Sequence, residues 1–193
     1  MVESGSLALF DRTLQDLEQW RPSRSRQEDL RSEYVELLRS GGPAALQRDG
    51  GAEHLTASCF VVTRDFRQVL LAFHRKAQRW LQLGGHLEPG DGSCMAAAIR
   101  EAHEEGGIAG LRSVSDHPAD LDRHPLVGTF GNCRVHWDVG YLAIVDQPVN
   151  PTASDESEAA AWWSIPDLEA ADPQLAARLG RMLQDAEQAC NRQ

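Results

Sequence analysis

Glu101, Glu104 and Glu105 stand three and four residues apart, the spacing that makes side chains neighbours on an α-helix. The surrounding segment, 93–106, reads as that helix. Its centre, Ala96-Ala97-Ala98, is rich in the best helix former. Met95, Ala98, Ile99 and Ala102 recur at helical spacing and are expected to form its buried stripe. Gly106-Gly107 is expected to end it. Three carboxylates near the negative, C-terminal end of a helix raise one another's energy rather than stabilise it. A hard divalent cation offsets that repulsion, because Mg²⁺ takes carboxylate oxygens and keeps part of its water. Ions held in this way can activate water and neutralise charge on a departing phosphate. The loop Gly84-Gly85-His86-Leu87-Glu88-Pro89-Gly90-Asp91-Gly92 precedes the helix and supplies a tight turn and close backbone approach. The glutamates alone would also fit a solvated helix face.

A second group of polar residues lies further along. Asp120, Asp122 and His124 alternate, so on a strand they share one face. His136 and Asp138 share a face on the next expected strand, opposite Val135, Trp137 and Val139. Together they would make a patch of two histidines and three aspartates, either the wet side of a sheet or the wall of a cleft. Leu142 and Ile144 continue the His136 face, and a polar patch at one end of a buried face suits a substrate cleft. On the cleft reading the patch contacts the substrate or an additional metal. His86, directly after the paired glycines, could touch a phosphate or be a structural loop residue. Trp80 and Trp137 could stack on a ring, or pack in the core.

The elements that must position these groups can be read from periodicity. Leu7, Phe10, Leu14 and Leu17 suggest a helix over 6–20, and Leu30, Tyr34, Leu37 and Leu38 a second over 25–39. Gly41-Gly42-Pro43 closes the second. Strand patterns begin at His54 and cover 55–63, 68–74, 80–83, 121–128, 134–145 and 160–164. A last helix is expected from Pro173 to about residue 189. Helices, strands, one helix, strands, helices is the order of an α/β domain with a mixed sheet, not of a regular βαβ repeat. The N-terminal helices read as a lid, a packing arm or a dimer element, so a homodimer is one arrangement they allow.

With the glutamates, glycines and elements in place, the segment from Gly85 to Ile108 resembles the box of the Nudix (MutT-like) hydrolases. That box is a Gly, five residues, Glu, seven residues, then Arg-Glu-apolar-x-Glu-Glu-x-Gly-apolar. Arg100, Glu101, Ala102, Glu104, Glu105, Gly107 and Ile108 fill its second half. The first half departs from it: counted from Gly85 the acid position is Asp91, counted back from Arg100 it is Gly92. The loop thus carries one extra residue, and Asp stands for the usual Glu. The resemblance covers about residues 54–170, ending on Trp162-Trp163-Ser164-Ile165-Pro166-Asp167-Leu168. It implies a Nudix-type mixed sheet sandwiched between helices, with residues 1–50 as a helical extension and 51–193 as the hydrolase domain. It further implies that Glu101, Glu104 and Glu105, with the Gly84 carbonyl, hold Mg²⁺ or Mn²⁺, and that Arg100 orients a glutamate. The family's base is a box glutamate or an acid in a later loop. Glu156 or Glu158 of the Asp155–158 stretch is then a candidate, although that stretch also reads as a solvated loop.

The expected activity is metal-dependent hydrolysis of a phosphoanhydride bond, in a nucleoside diphosphate linked to another group or a similar small organic diphosphate. Two rivals live on the same fold: a catalytically silent sensor of a nucleotide-type ligand, and an isoprenoid-diphosphate isomerase. Arg100-Glu101 and Glu104-Glu105 argue against the sensor, and the isomerase's cysteine motif is missing from the sequence. A formal net charge of −10 opposes tight binding to long nucleic acid, though a bound dication reverses the charge locally. No apolar run approaches the roughly 18 residues of a membrane span. Cys59, Cys94, Cys133 and Cys190 form no C-x-x-C pair and read as free thiols of a reducing compartment, in keeping with a cytoplasmic location. The expected partner is a small phosphorylated substrate.

Overall fold

In the computed structural model, which describes residues 4–126, 133–154 and 157–190, the chain opens with α1 (Ser4–Gln19), α2 (Ser25–Gly41) and a 3-10 turn (Gly42–Leu46). Four strands follow: β1 (Glu53–Thr63), β2 (Gln68–His74), β3 (Arg79–Leu81) and β4 (Leu83–His86). Then come α3 (Cys94–Gly106), β5 (Arg112–Ser113), β6 (Asp120–Pro125), β7 (Val135–Val145) and β8 (Ser157–Ser164). The chain closes with α4 (Ile165–Ala171) and α5 (Pro173–Cys190).

All eight described strands belong to one mixed sheet, ordered β3-β2-β1-β7-β5 along its main path. Its centre is the parallel pair β1 and β7, in register from Glu53↔Val135 to Thr63↔Val145. Such a strand is covered on both faces, and β1 is buried along nearly its whole length. β4 pairs antiparallel with the middle of β1, from Thr56 to Cys59, and β6 with the first half of β7. The functional loops therefore gather at that end.

Two apolar layers enclose the sheet. On one face Leu55, Ala57, Cys59, Val139 and Tyr141 pack with α3 and with Leu9, Leu17, Tyr34 and Leu38 of the N-terminal helices. On the other, Phe60, Val62, Val69, Leu71 and Leu142 pack with Leu168, Leu175, Leu179 and Met182. The N-terminal helices thus pack on the sheet and share its core. No described helix is long and apolar enough to cross a membrane.

Several local expectations are corrected. α1 buries Leu9, Thr13 and Leu17, and Trp20 just after it is buried too, while Leu7 is 46% exposed. On α3 the stripe is Cys94, Ala97, Ala98, Ala102 and Glu105, with Met95 and Ile99 only partly covered. The expected stripes still face the core, with Phe10, Leu14, Met95 and Ile99 packed at its margin, but the buried centre lies slightly to one side of them. The run 80–83 is two strands, β3 on β2 and β4 on β1. The short β5 was not expected at all.

Candidate active site

Helix α3 begins where Ser93 caps it, its Oγ accepting from the Ala96 N–H at 3.1 Å. It ends at Gly107, whose left-handed φ of +62° is a conformation that suits glycine. Between these limits the glutamates meet the glycine loop. A Cβ on Gly85 would stand 2.5 Å from Glu101 Oε1, so only glycine lets that carboxylate lie against the β4 backbone. The Gly84 N–H donates to Glu105 Oε2 at 2.8 Å, and Glu105 is buried. Glu104 is exposed.

Arg100 ties this arrangement together. Its Nε and one terminal nitrogen each donate to an Asp91 oxygen at 3.0 Å, the bidentate geometry that gives such pairs their strength. The other terminal nitrogen reaches Glu101 Oε1 at 2.9 Å and Glu104 Oε2 at 3.2 Å. The His86 carbonyl accepts a further bond at 3.0 Å. The hydrogen bond to Asp91 is the main reason the guanidinium is held more firmly charged than usual. The structure also resolves the displaced count in the loop. Asp91, not Gly92, meets the arginine, and Asp91 Oδ2 accepts from the Glu88 N–H at 2.8 Å.

Across a cavity of about 160 Å³ from Glu105 lie groups of the polar sheet face, among them Thr56, Ser58, His86, His124, His136 and Asp138. Asp138 is buried, and both of its oxygens are engaged: one accepts from Thr56 Oγ1 at 3.1 Å, the other from Ser58 Oγ and from Arg178 at 2.9 Å. Arg178 comes from α5 and also donates to Asp120 Oδ1 at 2.7 Å. Burial alone would disfavour its charge, but Asp120, Asp138 and Asp122 outweigh that and keep it a cation. Asp122 accepts from or shares a proton with His124 Nδ1 at 2.8 Å. Burial lowers the imidazole pKa of His86 to about 4 and of His136 to about 3, and lowers that of His54.

Glu101, Glu104, Glu105, Arg100 and Gly84 therefore meet at one place, and His86, His124, His136 and Asp138 line the same cavity. Asp122 stands behind His124. Glu156 lies outside the described residues. Glu158 is exposed and accepts from Gln78 Nε2 at 3.1 Å. Trp137 packs on the opposite face, edge-on to Tyr34. Trp80 packs between Phe73 and Trp163. Sequence reading missed two residues here. His54 shows itself only through the alternation His54-Thr56-Ser58, which puts it on the His136 face. Arg178 gave no signal, because an arginine on an amphipathic helix reads as solvated.

The fold and this glutamate helix agree with the comparisons. The family model of the NUDIX domain matches residues 52–186, and the chain belongs to the Nudix family, whose members are hydrolases of nucleoside diphosphate derivatives. A Nudix-family hydrolase from Clostridium perfringens is similar in structure, with 27% identity, 68% of this chain and 96% of that one covered, and a TM-score of 0.51. At fold level the chain is also similar to a C. elegans Ap4A hydrolase (21% identity, 70% and 95% covered, TM-score 0.51). The E. coli dihydroneopterin triphosphate pyrophosphohydrolase is similar too (17% identity, 69% and 92% covered, TM-score 0.51). No curated protein sequence matches the chain.

Proposed function

We propose that this protein hydrolyses a phosphoanhydride bond in a nucleoside diphosphate linked to another group, or in a similar small organic diphosphate, using Mg²⁺ or Mn²⁺. The observation that carries this reading is the set of box carboxylates, positioned by Arg100 and by the Gly84 N–H at the edge of a cavity. The donor set fits a hard dication: Glu101, Glu104 and Glu105 offer only oxygen, the Gly84 carbonyl adds another, and the lack of a side chain at Gly85 lets the Glu101 carboxylate lie beside it. When bound, such an ion would supply Lewis-acid stabilisation of the phosphate charge and a more acidic water.

The remaining tasks fall to the chain itself. Arg100 holds Glu101 and Glu104 in fixed orientations, so that little reorganisation is needed when charge develops. The neutral His86 and His136 line the cavity without adding charge. Asp138, held by Thr56, Ser58 and Arg178, keeps the floor rigid.

The test is chromatographic detection of the cleavage products (a nucleoside monophosphate and the phosphorylated second group, or pyrophosphate where the substrate is a triphosphate) from a panel of nucleoside diphosphate derivatives, with Ap4A and dihydroneopterin triphosphate included because two fold relatives are named for them. Turnover is expected only with Mg²⁺ or Mn²⁺ present. Glu101→Gln should lower it on the order of 10²–10³-fold, the scale of losing one preorganised stabilising group, with circular dichroism unchanged. Undiminished turnover after exhaustive chelation would reject the metal mechanism, and a fully active Glu101→Gln would remove that residue from it.

A further inference from the structure

We propose that His54, His86 and His136 form a second metal site, separate from the carboxylates and selective for a borderline transition-metal dication such as Zn²⁺, Co²⁺ or Ni²⁺.

The cluster arises from strand register. His54 and His136 are direct partners in the parallel β1–β7 pair, and His86 pairs with Thr56, two residues further along β1. All three side chains therefore emerge on one face. One nitrogen from each ring lies within 4.8 Å of the other two. Three nitrogens bound tetrahedrally at ~2.0–2.1 Å would stand roughly 3.3 Å apart, so modest side-chain rotation closes the site. The ligands sit on strands rather than on a loop, which limits how far they can drift.

The chemistry of the donors sets the choice of ion. Imidazole nitrogen favours Zn²⁺, Co²⁺ and Ni²⁺, whereas Mg²⁺ keeps to oxygen and dehydrates reluctantly. Two further groups border the cluster. Cys133 Sγ lies 3.4 Å from His54 Nδ1, and the His124 ring centroid lies 5.8 Å from that of His136. His54 is almost fully buried, while His86 and His136 border the cavity that also contains Glu105 and Gly84. Three protein ligands with the fourth position toward a cavity is the form of an open site, not of a closed structural one. His86 lies two residues along β4 from Gly84, roughly 7 Å at the strand rise. An ion on the histidines would thus face the same substrate as the carboxylates and take one of its oxygens as fourth ligand.

The experiment uses the full chain, free of any polyhistidine tag, stripped by chelation and then kept in excess Mg²⁺ so that the carboxylates are saturated. Co²⁺ is added and its visible d–d absorption followed; Zn²⁺ binding is measured by competition. About one equivalent should bind with tetrahedral or five-coordinate bands. His86→Ala and His136→Ala, both partly exposed positions, should each weaken binding on the order of 100-fold or more. Glu101→Gln and the exposed His103→Ala should leave it intact. Folding of each variant is checked by near-ultraviolet circular dichroism. Absence of Co²⁺ binding to the folded wild type would overturn the proposal, and so would binding that survives both histidine variants. Binding displaced by Mg²⁺ and lost in Glu101→Gln would also overturn it, placing the ion on the carboxylates. None of these readings requires turnover, so failure here leaves the hydrolase proposal standing, and the reverse holds too.

Discussion

Two arginines in this molecule are each surrounded by acids, yet they differ in what the surroundings permit. Arg100 meets Asp91, Glu101 and Glu104 with 21% of its side chain exposed. Arg178 meets Asp120 and Asp138 with only 7% exposed, and its partners are as deeply covered. At Arg100 the outermost acid, Glu104, is 58% exposed, so that side of the cluster is open to a cation from solution. At Arg178 the two directly bonded carboxylates are enclosed, while Asp122, 3.9 Å away, reaches water, and the polar bonds of Asp138 are made internally, from Thr56, Ser58 and the guanidinium. The same residue types thus serve reception in one place and bracing in the other, and solvent access decides between them.

The largest expected break in this comparison is Arg178→Met. It leaves two buried carboxylates without their cation, and loss of one partner of such a group costs about 3–5 kcal/mol. Urea unfolding would measure it; a loss below about 1 kcal/mol would place Arg178 with ordinary surface ion pairs. Next comes Mg²⁺ itself. At 100 times its dissociation constant it should raise unfolding free energy by about 2.7 kcal/mol. Arg178→Met should keep that increment and Glu101→Gln should lose most of it. Equal increments in all three proteins would erase the distinction between the clusters. The smallest effect is Arg100→Lys, which keeps the charge but loses the two-pronged grip on Asp91. Turnover should fall about 10–100-fold, or about 1.4–2.7 kcal/mol in activation free energy. Stability should move by no more than about 1 kcal/mol at this partly exposed site. A stability loss as large as that of Arg178→Met would make both arginines braces.

The contrast also shows which parts of the molecule were legible beforehand. Glu101, Glu104, Glu105 and Arg100 sit within one helix, so their proximity follows from helical spacing and could be read directly. β1, β2 and β7 were recognisable because long apolar or β-branched runs leave few other options. The Asp120, Asp122, His124, His136 and Asp138 faces were also predictable, since alternation on a strand is as regular as periodicity on a helix. Register between strands is not local, however. That His54 lies opposite His136, and that Arg178 reaches Asp138 from α5, depends on pairing and docking across 40 residues or more. The full extent of the buried face of α3 was hidden for the same reason: Ala98 and Ala102 were expected there, Glu105 was not. Glu105 is carried inward because the Gly84 N–H awaits it there, and no apolar periodicity announces a buried glutamate.

Tyr34 bears on how the protein should be handled and how it folds. Its hydroxyl stands 3.0 Å from the backbone carbonyls of both Asp122 and Asp138, and its ring is fully buried against Trp137. A residue that precedes the family-matched region thus plugs the back of the two strands whose front carries the cavity. A fragment trimmed to the family boundary would present Leu55, Trp137 and Val139 as a bare adhesive sheet and lose the Tyr34 hydroxyl from two strand carbonyls. The first helices and the sheet should therefore melt in one transition, and expression of the trimmed piece should yield aggregate rather than a smaller enzyme.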